Sequence, residues 1–278
     1  MLRVDPAVMA QKLRDYQFPD AHGFLIPWFR AAASLEARSV DARGLKDGLQ
    51  FSFDGNPPAP EALKELTAGL LDADCGEAGR QLAFGALAVR RLELGAPSAV
   101  RAGDRTVITL GGAVGSAAAA KAFASLRAAY GMSMVKLSVD GAPVPDPSKA
   151  GRPVKAWSNN STEAVILEDP GAPNLGRVRL YKLGMLVEER AFDLGGFYTA
   201  YVSSTRFALS LSQSAVVHDK RYAKLVKRLA RLRWRLLRRD PPREVVVRVW
   251  AKRSLIAAAV AGASVLGLWR ILTTGLWP

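Results

Sequence analysis

Cysteine and histidine are nearly missing from this 278-residue sequence, with one Cys and two His. Cys75 alone excludes an internal disulfide and a thiolate metal site, which agrees with a reducing compartment. His22 and His218 are too few and too isolated in sequence to form a metal cluster, and both read as surface or structural residues. Acid is also in short supply, with 25 Asp and Glu against 39 Lys and Arg and a formal net charge of +14. Met1 to Asp20 has no apolar run behind a basic start, so no secretory signal is expected and the body should stay in the cytoplasm. The phosphate-loop motifs are lacking too. The glycines Gly111, Gly112 and Gly115 match neither G-x-G-x-x-G nor the Lys-containing loop of nucleoside triphosphatases, and they read as a tight turn. No internal repeat is present.

What the chain does have is apolar content, 49% of its residues, enough for two domains with cores of their own. Its charge is concentrated. From Asp219 to Arg253, fourteen Lys and Arg face three acids, a net of +11 that leaves about +3 for the rest. Leu225, Leu229, Leu232 and Leu236 recur at helical spacing, which predicts a helix over 220–239 with one packing face and one cationic face. Lys224, Lys227, Arg228, Arg231, Arg235 and Arg238, with Lys252 and Arg253, are assigned to anionic lipid, each contributing about 1 kcal/mol near such a surface. A docked helix with a solvated basic face is the competing reading. Ser254 to Trp269 is an uncharged run of sixteen residues, and continuation through Trp277 gives twenty-four. A bilayer core takes about twenty, so 254–277 is expected to be a single-pass tail with Arg270 at the far interface and Lys252 and Arg253 on the cytoplasmic side. A buried C-terminal helix is the alternative.

Along the chain, Asp5 to about Val40 reads as two helical runs broken at Pro19 to Gly23, followed by a strand at 49–53, the turn Asp54 to Pro58, and a helix from Pro60 to Leu71. A helix over 80–92, a strand over 106–110, an alanine-rich helix ending at Tyr130 and a strand over 134–139 follow. The Pro- and Gly-rich stretch 141–152 is the best candidate for a boundary. Beyond it, 164–168, 178–181, 185–190 and 197–202 read as strands of one sheet. The division expected is 1–140, 153–240 and the tail 254–277.

Three blocks taken in order resemble the GHKL ATPase superfamily, most of all its heat-shock-90-type chaperone branch. Phe24-Leu25 through Ala31-Ala32-Ala33-Ser34-Leu35-Glu36-Ala37 is similar to the helix that carries a catalytic Glu and a magnesium-binding Asn. Phe53-Asp54-Gly55-Asn56 stands where the family has its adenine-binding Asp-x-Gly, and Gly79 to Gly85 resembles the glycine-rich lid. Arg179 to Val187 and Leu209-Ser210-Leu211-Ser212-Gln213-Ser214 are similar to parts of the family's middle or transducer domain. The resemblance covers about residues 5 to 240. It implies an α+β two-layer sandwich, then a smaller α/β transducer-like domain and a C-terminal helix.

The chemistry implied by the resemblance is degenerate. Depending on register, the Asn slot holds Ala31 or Ala33 and the Glu slot holds Pro27 or Phe29. Pro57 and Pro58 replace a glycine, and the arginine expected at the terminal phosphate is Gln213. Losing base, metal ligand and phosphate cation together removes most of the electrostatic stabilisation of hydrolysis. The expectation is therefore a membrane-tethered, catalytically inactive scaffold or interaction protein with no metal and no catalytic residues, held on anionic lipid and acting on a protein partner. Asp54, Gly79 and Gly85 are its residual nucleotide pocket, for ATP or ADP without hydrolysis, and a turn-capping role for Asp54 stands beside that reading. Two alternatives stay open: an ATP-binding ATPase or chaperone-like protein with ligands from other positions, and a nucleic-acid-binding module using 221–239.

Overall fold

Ten consecutive residues that are apolar almost all round, LIPWFRAAAS, form helix α1 (Leu25–Ser34), with Leu25, Pro27, Trp28, Phe29, Ala31 and Ala32 buried. In this computed structural model the described residues are 22–67, 75–111, 115–151, 153–172, 176–210 and 212–239. The helical reading of Asp5 to Asp20, the segment 254–277, the cations Lys252 and Arg253 and the side chain of Arg238 lie outside them. The second apolar run, Phe24 to Leu35, is helix α1, but the helical stretch expected to reach about Val40 stops at Ser34. Glu36 turns left-handed at φ 61°, and the Ala37 N–H closes onto the Ala32 carbonyl at 3.1 Å, the hydrogen-bond pattern that ends a helix when its C′ residue is left-handed.

The chain then makes β1 (Ser39–Leu45), β2 (Gly48–Phe53), the short helix α2 (Pro60–Lys64), α3 (Gly76–Arg91), β3 (Ser98–Ala102), β4 (Arg105–Gly111), α4 (Ser116–Ala129), β5 (Lys136–Val139) and β6 (Ala142–Pro143). These strands form one sheet in the order β3-β4-β2-β1-β5-β6, antiparallel except for the parallel pair β1–β5. Strand alternation divides its faces. Val40, Ala42, Leu49, Phe51, Phe53, Ile108, Leu110 and Leu137 join the core with α1, α3 and α4. Ser39, Asp41, Gln50, Ser52, Arg105 and Ser138 line a hollow of about 530 Å³ on the other face.

A second sheet follows a 3-10 turn (Pro147–Lys149) whose start is capped by Asp146, which accepts from Ser148 N at 2.9 Å. Its strands are β7 (Pro153–Asn159), β8 (Thr162–Glu168), β9 (Arg177–Lys182), β10 (Met185–Ala191) and β11 (Tyr198–Ser204), in the order β10-β9-β11-β8-β7. Helix α5 (Lys220–Arg239) is started by Asp219, whose Oδ1 accepts from the backbone N–H of Arg221 and Tyr222 at 2.9 and 2.8 Å. Leu225, Leu229, Leu232 and Leu236 bury themselves against Ile166, Val178, Leu180 and Val202. The apolar stripe of the basic helix is thus used in docking, while Lys224, Lys227, Arg228, Arg231 and Arg235 stay exposed.

The two sheets meet along a short seam. Tyr130 bridges Met185, and Gly131 N donates to Gly184 O at 3.1 Å. Asp146 accepts from Met132 N and Ser133 N at 3.0 and 3.4 Å, and Lys182 pairs with Glu77 at 3.1 Å. The mixed helix and strand architecture, with two mixed sheets and five helices among the described residues, matches the α+β class expected from the sequence.

Candidate functional site

Helix α1 supplies no acid to the site. Phe29, one candidate for the Glu slot, is fully buried with its ring 5.7 Å from that of Tyr130, edge to face, and Pro27, the other, is buried too. Ala31 is buried and Ala33 half-buried, and neither offers a metal ligand. Among the described residues no group of three or more His, Cys, Asp or Glu is placed to hold a metal ion.

Asp54 uses its carboxylate on the chain itself. Oδ1 accepts from the backbone N–H of Arg38 at 2.6 Å and of Ser39 at 2.9 Å, while Oδ2 accepts from Ser39 Oγ at 2.9 Å. Arg105 reinforces the arrangement, donating to Ser39 Oγ and to the Ser52 carbonyl, each at 3.2 Å. Partial burial pushes the Asp54 carboxyl up, but the Ser39 and Arg38 donors and the nearby Arg105 charge outweigh it and hold the group below the usual range. The residue therefore ties the end of β2 to the start of β1.

Gly79 and Gly85, read as lid glycines, both lie inside α3. A Cβ at Gly85 would stand 2.2 Å from Trp28 Nε1, so this glycine lets α1 and α3 approach until the indole fits between them. The same Nε1 donates to the Leu82 carbonyl at 3.2 Å. Aromatic contacts continue inward, Trp28 meeting Phe24 edge to face at 5.8 Å and Phe51 at a tilt at 5.9 Å between centroids. Gly79 meets only Cys75, at 3.1 Å from Sγ.

The residue that sequence reasoning missed is Arg30. It is 2% exposed, and its Nη1 donates to Gln213 Oε1 at 2.9 Å, across 183 residues of chain. Burial pulls its pKa down to about 10, with the Glu77 charge opposing. Nε has no hydrogen-bond partner. Glu77, itself pushed up by burial, is held low by Lys182 and by hydrogen bonds from Lys182 and Gln81, with Arg80 adding to them. Gln213 reaches Arg30 from a loop closed by the Leu209–Val216 bridge and takes φ 52° to do so. Gln213 stands where the family resemblance implies a phosphate-binding arginine, and a guanidinium does lie beside it, supplied by α1. A lone charge within an otherwise apolar ten-residue helix was the available signal, since a charge there must be paired.

No protein-family model matches the sequence, and comparison with curated proteins finds no match. Comparison with solved structures does find matches. The B-subunit of the DNA gyrase from Myxococcus xanthus aligns with a TM-score of 0.52 at 12% identity, over 83% of this chain and 96% of that one. The ATPase region of Saccharomyces cerevisiae topoisomerase II aligns with a TM-score of 0.46 at 9% identity, over 69% of this chain and 75% of that one. The likeness does not select the chaperone branch. The likeness to the gyrase subunit is one of fold, and the chain has the fold of the GHKL ATPases.

Proposed function

We propose that this chain is a non-hydrolysing GHKL-fold protein, a scaffold or interaction protein held at a membrane by its C-terminal segment. The observation that carries the first part is the buried Arg30–Gln213 contact, which ties α1 to the 209–216 loop of the second sheet. Around it Phe29 or Pro27 and Ala31 or Ala33 occupy the positions where the family resemblance implies a general base and a magnesium ligand, so an attacking water has neither activation nor a metal to orient it. Asp54, whose carboxylate already accepts three hydrogen bonds, has less capacity left for an adenine amine. The full-length protein in detergent is expected to show no magnesium-dependent ATP turnover above buffer. Turnover abolished by Asp54→Asn would overturn the reading.

The membrane part rests on the sequence of 254–277 and on the exposed cations of α5. Because the leucine stripe of α5 is docked on the sheet, this helix adds only screened electrostatic attraction, and the tail must supply the anchoring. Full-length protein should stay with membranes through a high-salt wash, whereas a chain ending at Arg253 should be released by it. Salt extraction of the full-length protein would show that 254–277 packs on the body.

A further inference from the structure

One end of the second sheet carries a cavity of about 320 Å³ between β7, β8, the loop after β11 and the first turns of α5. Small-ligand sites run from about 300 to 1,000 Å³, so this one suits a compact molecule. Arg206, Arg221, Lys224 and Arg228 line it, no Asp or Glu does, and its remaining polar lining comes from Asn159 and the hydroxyls of Ser161, Thr162 and Ser204.

The absence of acid is specific to this place. Elsewhere on the same sheet and helix, Arg177 and Arg179 pair with Glu189, Arg190 with Glu188 and Arg233 with Asp193. None of the four cavity cations forms an ion pair among the described residues. Four converging cations repel one another and focus a positive field into the concavity, a cost that an anion removes.

Several of these groups are already positioned. The Arg228 guanidinium lies over the Trp157 ring, 4.6 Å from its centroid, and Arg221 Nη1 donates to the Arg206 carbonyl at 3.3 Å. Thr162 Oγ1 donates to Ser204 Oγ at 3.1 Å, and Ser204 Oγ to the Ser161 carbonyl at 2.9 Å. Trp157 contributes its ring to the cavity wall and so holds the Arg228 guanidinium at the rim.

We infer that this cavity binds a phosphomonoester, carried either by a lipid headgroup or by a free phosphorylated small molecule. A phosphomonoester carries about −1.5 to −2 charges and three acceptor oxygens, against one charge for a phosphodiester, and so matches several cations at one spot. A walled hollow at the start of α5 also fits a single compact group better than a continuous nucleic-acid strand. The inference rests on the membrane reading only for the choice between the two sources, and salt extraction tests that reading separately.

The test uses the full-length protein in detergent micelles, titrated calorimetrically with inositol trisphosphate, with the corresponding phosphoinositide in the micelle, with glycerophosphoserine and with a single-stranded oligonucleotide. Inositol trisphosphate or its lipid should bind at least about tenfold more tightly than glycerophosphoserine, and Arg206→Ala/Lys224→Ala should weaken that binding by about tenfold or more, as expected for lost charge-assisted hydrogen bonds. Arg231→Ala/Arg235→Ala, which removes the same charge outside the cavity, should change it by less than about threefold, the range of a screened surface contribution. Binding of the lipid alone assigns a headgroup as the source, and equal binding of the free compound assigns a soluble ligand. Equal weakening by both double variants would reduce the effect to general electrostatics and overturn the cavity. Tight binding of the oligonucleotide with none of inositol trisphosphate or its lipid would overturn it in favour of nucleic acid.

Discussion

Gly85→Ala should destabilise the protein by about 2 kcal/mol or more, while Gly79→Ala, six residues away in the same helix, should be neutral or stabilising by up to about 1 kcal/mol. Both substitutions gain roughly the same helix propensity, about 1 kcal/mol, so the difference between them isolates packing. At Gly85 the new methyl lies 2.2 Å from Trp28 Nε1, 2.4 Å from Cδ1 and 2.9 Å from Cε2. Trp28 is fully buried among Phe24, Phe51 and the Leu82 carbonyl, so the indole has nowhere to retreat without moving α1 away from α3. Overpacking of this kind costs about 1 to 3 kcal/mol and at times more, against which the propensity gain is the smaller term. At Gly79 the nearest atoms belong to the Cys75 side chain, 3.1 Å away at Sγ, which can give by a few tenths of an ångström. Urea midpoints of the two variants are the measurement. Trp28→Leu added to Gly85→Ala should recover part of the loss, since it removes the atoms that clash, and the double variant should be less destabilised than the sum of the singles. Equal midpoints for Gly79→Ala and Gly85→Ala would mean that the indole does not wedge the two helices as described.

The elements that sequence reasoning located were those whose own residues carry the pattern. β2, β4 and β8 to β11 alternate or run apolar because they sit in or next to a buried face, and α5 shows its leucine stripe directly. Three of the four strands it did not locate, β3, β6 and β7, lie at a sheet edge. β3 has no buried residue, and its Val100 is 56% exposed. β7 is the outer strand of its sheet and keeps all seven residues at least partly exposed. β1, inside the sheet, was missed, with its first two residues falling in the helical reading that runs to about Val40, because only Val40 and Ala42 mark its inner face and a left-handed glutamate, rather than glycine, ends α1. The site was legible as a set of missing groups, since Pro27, Phe29, Ala31 and Ala33 are visible as substitutions in a motif. What took their place was not, because the Arg30–Gln213 pair spans 183 residues and no local pattern encodes it.

Gln213→Ala should cost about 3 kcal/mol, more than a typical lost hydrogen bond, because it strips an acceptor from a buried guanidinium whose Nε already lacks one. The opposite charge that acts on it, Glu77, is engaged with Lys182 and Arg80 and compensates only in part. Arg30→Met should cost less, about 1 to 3 kcal/mol, for it removes the buried charge and leaves only a neutral amide unpartnered. Arg30→Met with Gln213→Leu, apolar on both sides, should fall closer to wild type than Gln213→Ala does, as buried polar pairs replaced together by packed apolar residues often do. The pH dependence follows from the direction of the shift. Burial lowers the folded-state pKa of Arg30 from the ordinary arginine value to about 10, so the cost of confining the charge is fully present below pH 10. Between that value and the unfolded one, the unfolded chain holds the proton more tightly, and the stability of wild type should rise relative to Arg30→Met as pH increases. Denaturant unfolding of both proteins at neutral pH and at pH 10 and above reads this directly. A constant difference across that range would mean that Arg30 is hydrated in the folded protein, and the buried link between α1 and the second sheet would be gone with it.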